Sequence, residues 1–175
     1  MVCNWVVCNR MACSWIVFVS GWPHDRRMTH PLDLEQQLCF ALYTASRLTV
    51  RAYRPLLEEL SITYPQYLVL LVLWQAHREG APAPTVRGLG EKLYLDSGTL
   101  TPLLKRLEAR GLVTRERSTA DEREVHVVLT KEGRSLHRRA KKIPEALACA
   151  YDQPPRDLFA LRDQLKSLIA RLETP

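Results

Sequence analysis

The chain has 175 residues, 46% of them hydrophobic, which is enough for one ordinary core but not for two large domains. A formal net charge of +6 and a pI near 9.2 favour a polyanionic partner, without distinguishing DNA, RNA and an anionic membrane surface. Five cysteines without a regular framework do not fit a secreted disulfide scaffold, so we predict a cytoplasmic protein whose thiols are mostly reduced.

Residues 1–27 differ in composition from the rest, with three of the four Trp and three of the five Cys. Their apolar run 13–19 is much shorter than the roughly twenty residues of a membrane helix, and no small-residue cleavage site of a signal peptide follows it. Cys3, Cys8 and Cys13 are spaced too widely for a standard zinc site, so we predict no metal there. We also predict no cofactor. We expect Met28 to be the true start and residues 1–27 to be a disordered or non-native extension.

Two helices are predicted in the first half of residues 28–175. Asp33 can cap a long first helix that keeps its apolar spacing to about Tyr53, before Pro55 disturbs it. Thr63 and Gln66 then form a capping pattern ahead of the run 67–74, YLVLLVLW. Because that run is apolar on nearly every face, it should be the buried central helix.

A helix-turn-helix and a hairpin are predicted next. A short helix opens at Thr85, and a second follows Ser97 with an apolar stripe formed by Leu100, Leu103, Leu104 and Leu107. Asp96 or Ser97 can cap this second helix and Gly111 can end it. Strand-like runs at 112–117 and 124–129 flank a polar turn, and a helix followed by a charged hairpin is the pattern of a winged helix.

Positive charge is concentrated in this region. Residues 97–142 hold twelve Lys or Arg against six Asp or Glu, a net charge of +6. Cationic side chains neutralise phosphates, and a helix with short polar side chains can read base edges in the major groove. We therefore predict that the front of the second helix binds double-stranded DNA, with Ser97, Thr99, Thr101, Lys105 and Arg106 as the candidate residues. The alternative is a solvated helix beside a surface hairpin.

The terminal helices predict a homodimer. After Thr130 a helix with apolar positions to Leu147 is expected to bend at Pro144, and a last helix carries leucines at three- and four-residue spacing to Leu172. These helices and the first one are not needed to read DNA, so their apolar faces require a partner. A twofold dimer would place two reading helices about 34 Å apart, matching a palindromic operator.

Four segments together resemble the organic-hydroperoxide-sensing branch of the MarR family of dimeric winged-helix regulators: LEQQLCFALYTASR, LSITYPQYLVLLVLW, LYLDSGTLTPLLKRLEARGLVTR and DEREVHVVLT. The resemblance covers about residues 32–172. It implies a mainly α-helical protein with a small β wing that dimerises through its N- and C-terminal helices. It also implies a repressor that leaves its operator when one thiol is oxidised by an organic hydroperoxide.

The resemblance also implies roles for particular residues. Cys39 corresponds to the sensing thiol, Tyr53 and Tyr64 to its supporting tyrosines, and Tyr43 to a further one. A thiolate is the nucleophile towards a peroxide, and phenol hydroxyls that donate to sulfur stabilise it without adding a charge. Cys149 resembles the resolving thiol of the members in which a disulfide joins the two subunits.

On the wing, Asp121 and Arg123 match the family's D-x-R, in which the Arg enters the minor groove and the Asp braces the hairpin. Arg117 lies where the family contacts phosphates, although Arg115 and Arg117 could equally solvate a strand face.

Two other functions stay open. In one, the protein is a MarR-type repressor controlled by a small aromatic ligand, and Cys39 is a structural residue of the helix. In the other, Cys39 and Cys149 serve a thiol peroxidase, for which we find no separate substrate-binding motif. We predict a regulator that reacts once and is reset, and not an enzyme.

Overall fold

The computed structural model describes residues 32–118, 121, 123–151 and 153–173. The predictions for residues 1–27 and for the start at Met28 lie outside this range. The described chain forms seven α-helices and a two-stranded sheet, in the order α1 to α4, β1, β2 and α5 to α7. They are α1 Leu38–Glu58, α2 Tyr64–Glu79, α3 Val86–Leu93, α4 Ser97–Ala109, β1 Val113–Arg117, β2 Val125–Leu129, α5 Lys131–Ala140, α6 Ile143–Ala150 and α7 Pro155–Glu173. No helix in the described ranges is long and apolar enough to cross a membrane.

The chain divides into two units. The smaller one combines the segment that ends at Ala41 with the segment that begins at Gln153, which contains α7. In α7 no described residue is buried, and Phe159, Leu161 and Leu172 are more than half exposed. Leu158, Leu165 and Leu168 are half-buried. An amphipathic helix that leaves several large apolar side chains exposed in one chain has a surface suited to association.

The larger unit, residues 42–151, holds the core. Its centre is α2, in which Val69, Leu70 and Leu73 are almost fully buried, as the apolar run predicted. The capping box at the start of α2 is confirmed, because the N–H of Thr63 donates to Oε1 of Gln66 over 2.9 Å.

The apolar stripe of α4 also packs into this core, which contains Leu100, Leu103, Leu104 and Leu107. Burial of these four leucines confirms the predicted inner face of α4.

Prolines act differently from what the sequence predicted. Helix α1 begins at Leu38, after a 3-10 turn at Leu34–Gln36, and it continues through Pro55 to Glu58. The predicted single helix after the wing is instead two helices, α5 and α6, separated at residues 141–142. Pro144 accounts for this break, because a proline ring clashes with the carbonyl four residues earlier, here that of Ala140, the last residue of α5.

The wing is an antiparallel hairpin in which Val113 pairs with Leu129 and Arg117 with Val125. A short segment before α3 extends it, since Thr85 forms a bridge with His126 and the N–H of Val127 donates to the carbonyl of Pro84 over 2.9 Å. The helix-turn-helix is thereby tied to the wing through the backbone.

Glycine allows a close approach in the turn between α3 and α4. The N–H of Leu95 donates to the carbonyl of Gly90 over 2.9 Å, and a Cβ on Gly90 would lie 2.8 Å from the carbonyl oxygen of Leu95. Tyr94 takes the left-handed conformation in this turn, with φ 55°. The glycine that weakens α3 by its helix propensity is the residue that lets α4 pack against it.

Candidate functional site

The first turn of α4 is held by Asp96. Its carboxylate accepts the backbone N–H of Thr99 over 2.8 Å and the Thr99 hydroxyl over 2.7 Å. These hydrogen bonds hold the pKa of Asp96 below its usual range, so the residue stays ionised beside the positive end of the helix. Helix α4 continues through Pro102, which only removes the hydrogen bond that an N–H at this position would donate to the carbonyl of Gly98.

The predicted reading residues fall on the outer side of α4. Ser97, Thr99, Lys105 and Arg106 are exposed, and Thr101 is half-buried. The Thr99 hydroxyl already donates to Asp96, so it can only accept a hydrogen bond from a further partner. The helix therefore presents short hydroxyls at its start and two cationic side chains in its second half.

Asp121 shapes the turn of the wing. Its Oδ1 accepts the N–H of Arg123 over 3.0 Å, and its own N–H donates to Oγ of Ser118 over 3.3 Å. Its carbonyl accepts the N–H of Glu124 over 2.9 Å. A carboxylate that accepts a backbone N–H two residues on is an Asx turn, so Asp121 fixes the backbone beneath Arg123. The side chains of Arg117 and Arg123 are both exposed.

A contact that the sequence analysis missed joins α4 to the wing. Arg115 donates from Nε over 2.9 Å and from Nη2 over 2.6 Å to Oε2 of Glu108, and its backbone N–H donates to Oε1 over 3.2 Å. The Arg115 guanidinium holds the pKa of Glu108 below its usual range. Nothing in the local sequence pattern distinguishes this pair from two solvated charges seven residues apart. Arg115 therefore connects the reading helix to β1 instead of only solvating a strand face.

Tyr53 and Tyr64, two of the three predicted supporting tyrosines, lie together. Their ring centroids are 4.9 Å apart, and the Tyr67 ring lies 5.8 Å from that of Tyr53. Burial raises the pKa of all three phenols above the usual 10.0, and for Tyr53 the neighbouring tyrosines raise it further. All three hydroxyls thus remain protonated donors at physiological pH. Tyr67 is a further member of this cluster, although the apolar run 67–74 predicted only a core position for it.

Tyr43 lies elsewhere. It is 58% exposed, and its hydroxyl accepts a hydrogen bond from Nη1 of Arg47 over 2.8 Å. The Arg47 guanidinium also lies 5.5 Å from the Tyr43 ring centroid, a cation–π arrangement. In the described chain, Tyr43 therefore interacts with an arginine one helical turn away, outside the tyrosine cluster.

The two cysteines of the described chain, Cys39 and Cys149, are exposed free thiols. Cys39 lies in the first turn of α1, because α1 begins at Leu38. Cys149 lies near the end of α6. An exposed thiol can meet a peroxide from solvent.

A polar helix that follows a tight turn and precedes a hairpin with exposed arginines defines a winged helix-turn-helix DNA-binding regulator. A family model described as "Transcriptional regulator SarA/Rot" matches residues 51–139. The chain is 48% identical over 141 residues to the "Organic hydroperoxide resistance transcriptional regulator" of Bacillus subtilis, covering 81% of this chain and 92% of the relative. The chain belongs to the MarR family of transcription regulators, in the branch of the organic hydroperoxide resistance regulators.

Solved structures agree with this assignment. The crystal structure of AbfR of Staphylococcus epidermidis has a TM-score of 0.64 and 35% identity, covering 79% of this chain and 92% of AbfR. A structure described as reduced AbfR bound to DNA has a TM-score of 0.62 and 37% identity, covering 79% of this chain and 94% of that one. A structure described as disulfide-formed AbfR has a TM-score of 0.54 and 40% identity, covering 78% of this chain and 92% of that one.

Proposed function

We propose that this regulator is a repressor that binds its operator with Cys39 reduced and leaves it when an organic hydroperoxide oxidises that thiol. The observation that carries the proposal is the exposed Cys39 thiol at the start of α1, in a chain whose half-buried Tyr53 and Tyr64 keep their hydroxyls as protonated donors. The names of the relatives support it, because the Bacillus subtilis protein is a hydroperoxide resistance regulator and AbfR has reduced and disulfide-bonded forms.

The chemistry takes two steps. The Cys39 thiolate attacks one peroxide oxygen, so that an S–O bond forms, the O–O bond breaks and the alkoxide leaves to become an alcohol after protonation. The thiol is thereby oxidised to a sulfenic acid and the hydroperoxide is reduced. A thiolate of Cys149 from a second subunit then attacks the Cys39 sulfur, an S–S bond forms, the S–O bond breaks, and hydroxide leaves and is protonated to water.

Helix geometry supports a role for two subunits. Cys39 and Tyr53 are fourteen residues apart in α1, which corresponds to about 21 Å along a helix that rises about 1.5 Å per residue. A hydroxyl of Tyr53 can therefore support only the thiol of a second copy of the chain. The exposed apolar side chains of α7 support the same homodimer, and a homodimer suits a palindromic operator.

We assign DNA reading to residues on the outer side of α4 and on the wing. We propose that Ser97, Thr99 and Thr101 approach base edges, that Lys105, Arg106 and Arg117 neutralise phosphates, and that Arg123 enters the minor groove from the turn that Asp121 shapes. The order of exposed hydroxyls and cations along α4 supports this division.

The test is operator binding by the full chain, reduced and then treated with one equivalent of cumene hydroperoxide, for wild type, Cys39→Ser and Cys149→Ser. We expect release by the wild type, no release by Cys39→Ser, and a covalent dimer that is absent from both variants. Sustained peroxide turnover with a dithiol reductant would instead indicate a thiol peroxidase.

One observation favours the second candidate, a repressor controlled by a small ligand. A recess of about 790 Å³ lies between α1 and the start of α2, with Leu57 and Ile62 in its apolar part and Arg47, Arg51 and Arg54 among its polar lining. This volume is within the range of small-molecule sites. If Cys39→Ser releases the operator as readily as the wild type does, the recess, and not the thiol, controls the protein.

A further inference from the structure

The C-terminus of α1 ends in a left-handed turn. Ser61 has φ 53°, the N–H of Ile62 donates to the carbonyl of Leu57 over 3.1 Å, and the N–H of Ser61 donates to that of Glu58 over 2.8 Å. This pair of hydrogen bonds is a Schellman ending, which satisfies two of the carbonyls that a helix leaves free at its end. The turn after α1 leaves three further carbonyls to be satisfied.

Two arginines from distant parts of the chain bond those three carbonyls. Nη2 of Arg139 donates to the carbonyl of Glu59 over 2.7 Å. Arg110 donates from Nη2 to the carbonyl of Leu60 over 3.2 Å and from Nη1 to the carbonyl of Ser61. The turn that ends α1 is thus held at every carbonyl from residue 57 to residue 61.

The charges explain why arginines suit this place. The end of a helix carries partial negative charge, and the last four residues of α1 contain no Lys or Arg. Glu58 and Glu59 add negative charge there, and Arg54 pairs with Glu58 alone, over 2.8 Å. The positive charges of Arg110 and Arg139 therefore come from the DNA-binding part of the chain and stabilise the end of α1.

Arg110 belongs to the end of the reading helix. It is the C-cap of α4, and Gly111 follows it with φ 65°. One guanidinium therefore links the turn that follows α1 to the C-terminal end of α4. Two residues before Arg110, Glu108 binds Arg115 on the wing. A displacement of the turn after α1 can therefore reach α4 through Arg110, and the wing through Glu108 and Arg115.

We propose that Arg110 is a positioning residue that couples α1 to the reading helix, so that a displacement of α1 caused by oxidation of Cys39 reorients α4 through Arg110. Arg139 anchors the same turn to α5. This role rests on the proposed redox function, because α1 carries the sensing thiol. A direct role in binding phosphate is the competing explanation for an exposed arginine, and the two carbonyl bonds of its Nη1 and Nη2 oppose it.

The test measures operator Kd by fluorescence anisotropy for the reduced and the peroxide-treated full chain, across a range of salt concentrations. The variants are Arg110→Ala and Arg139→Ala, with Arg138→Ala as the matched control, since Arg138 is exposed on α5 and donates only to Ser135 of its own helix, over 3.3 Å. We expect the ratio of oxidised to reduced Kd to fall by about fivefold or more in Arg110→Ala and to stay at the wild-type value in Arg138→Ala. The salt dependence of reduced Arg110→Ala should match that of the wild type, because no phosphate contact is lost.

Each remaining outcome decides between the proposals. If the ratio of oxidised to reduced Kd is near one for the wild type, both the redox function and the coupling are contradicted. If peroxide weakens operator binding equally in the wild type and in Arg110→Ala, the coupling alone is overturned. The coupling is also overturned if the salt dependence of operator binding by reduced Arg110→Ala falls by about one phosphate contact. If Arg110→Ala fails to fold, Arg110→Lys decides, because lysine keeps the charge but not the planar fork that bonds two carbonyls. Its ratio should also fall below that of the wild type, and an unchanged ratio overturns the coupling.

Discussion

Arg115 and Glu108 join the wing to the reading helix, since three hydrogen bonds of 2.6–3.2 Å connect β1 to the last turn of α4. Removing the charge with Glu108→Gln should lower the free energy of unfolding by about 1 kcal/mol, as expected for a partly exposed pair with good geometry. The free energy of operator binding should fall by more than the free energy of unfolding, because the wing is no longer aligned with α4. Urea unfolding measures the stability and fluorescence anisotropy measures the operator affinity. Glu116→Gln, on β1 beside Arg115, is the control. Equal losses in both variants would show that the pair does not align the wing.

Arg123 should contribute to operator binding through its side chain, and Asp121 through the turn. We expect Arg123→Ala to weaken binding by about tenfold, within the 1–3 kcal/mol of a direct contact. Asp121→Ala should weaken it less, because the backbone N–H of Arg123 loses a partner while the guanidinium remains. Arg162→Ala on α7 controls for the loss of one positive charge. Binding by Arg123→Ala equal to that of this control would remove Arg123 from the interface.

Thr130 caps α5 and also ties it to the end of α4. Its Oγ1 accepts the N–H of Gly133 over 3.0 Å and donates to the carbonyl of Gly111 over 2.6 Å. Thr130→Val preserves the shape and removes both bonds, so the free energy of unfolding should fall by about 1–2 kcal/mol. Thr114→Val on the exposed side of β1 should change it by less than about 0.5 kcal/mol. Urea unfolding compares them, and equal stabilities would show that the cap is dispensable.

Tyr53 should make the protein sensitive to alkali. Burial raises its pKa above the ordinary 10.0, so the folded chain holds the phenol proton more tightly than the unfolded chain does. The contribution of the protonated phenol to the free energy of unfolding is complete below pH 10. It is lost as the pH rises towards the pKa of Tyr53 in the folded chain. Between pH 8.0 and pH 10.8, the free energy of unfolding measured in urea should decline less for Tyr53→Phe than for the wild type. Parallel declines would mean that Tyr53 ionises as freely in the folded chain as in the unfolded one.

His137 should act in the opposite direction, at mildly acidic pH. Burial lowers its pKa, and the positive charges of Lys141, Arg78 and His77 lower it further. The ring packs on Trp74, with 5.3 Å between the centroids. Its contribution to stability is therefore complete above pH 6.5 and is lost as the pH falls below that value. Between pH 7.5 and pH 5.5, the free energy of unfolding should decline less for His137→Phe than for the wild type. An equal decline in both proteins would assign the effect to other groups.

Local signals in the sequence were sufficient for much of this fold. The caps at Thr63, Thr85 and Thr130 and the inner face of α4 depend on residues within four positions of one another, where spacing predicts contact. The break between α5 and α6 was placed wrongly, since a proline acts on the carbonyl four residues before it.

The remaining contacts connect residues that are far apart in the chain. Arg110 and Arg139 reach carbonyls 49 to 80 positions away, and no periodicity predicts such bonds. The same holds for the cluster of Tyr53 with Tyr64 and Tyr67, whose members follow from resemblance and packing but not from spacing. The exposure of Cys39 likewise depends on which elements cover the start of α1.

The close approach of Gly90 to Leu95 has an evolutionary consequence. The position of α4 relative to α3 is set from behind, by buried leucines and by a glycine that admits no side chain, and not by the residues that face outward. Exposed positions such as Ser97, Lys105 and Arg106 are therefore free to vary without refolding the domain. A gene duplicate could acquire a new set of target promoters by changing a few surface codons, whereas a substitution at position 90 would disable the old and new specificities alike.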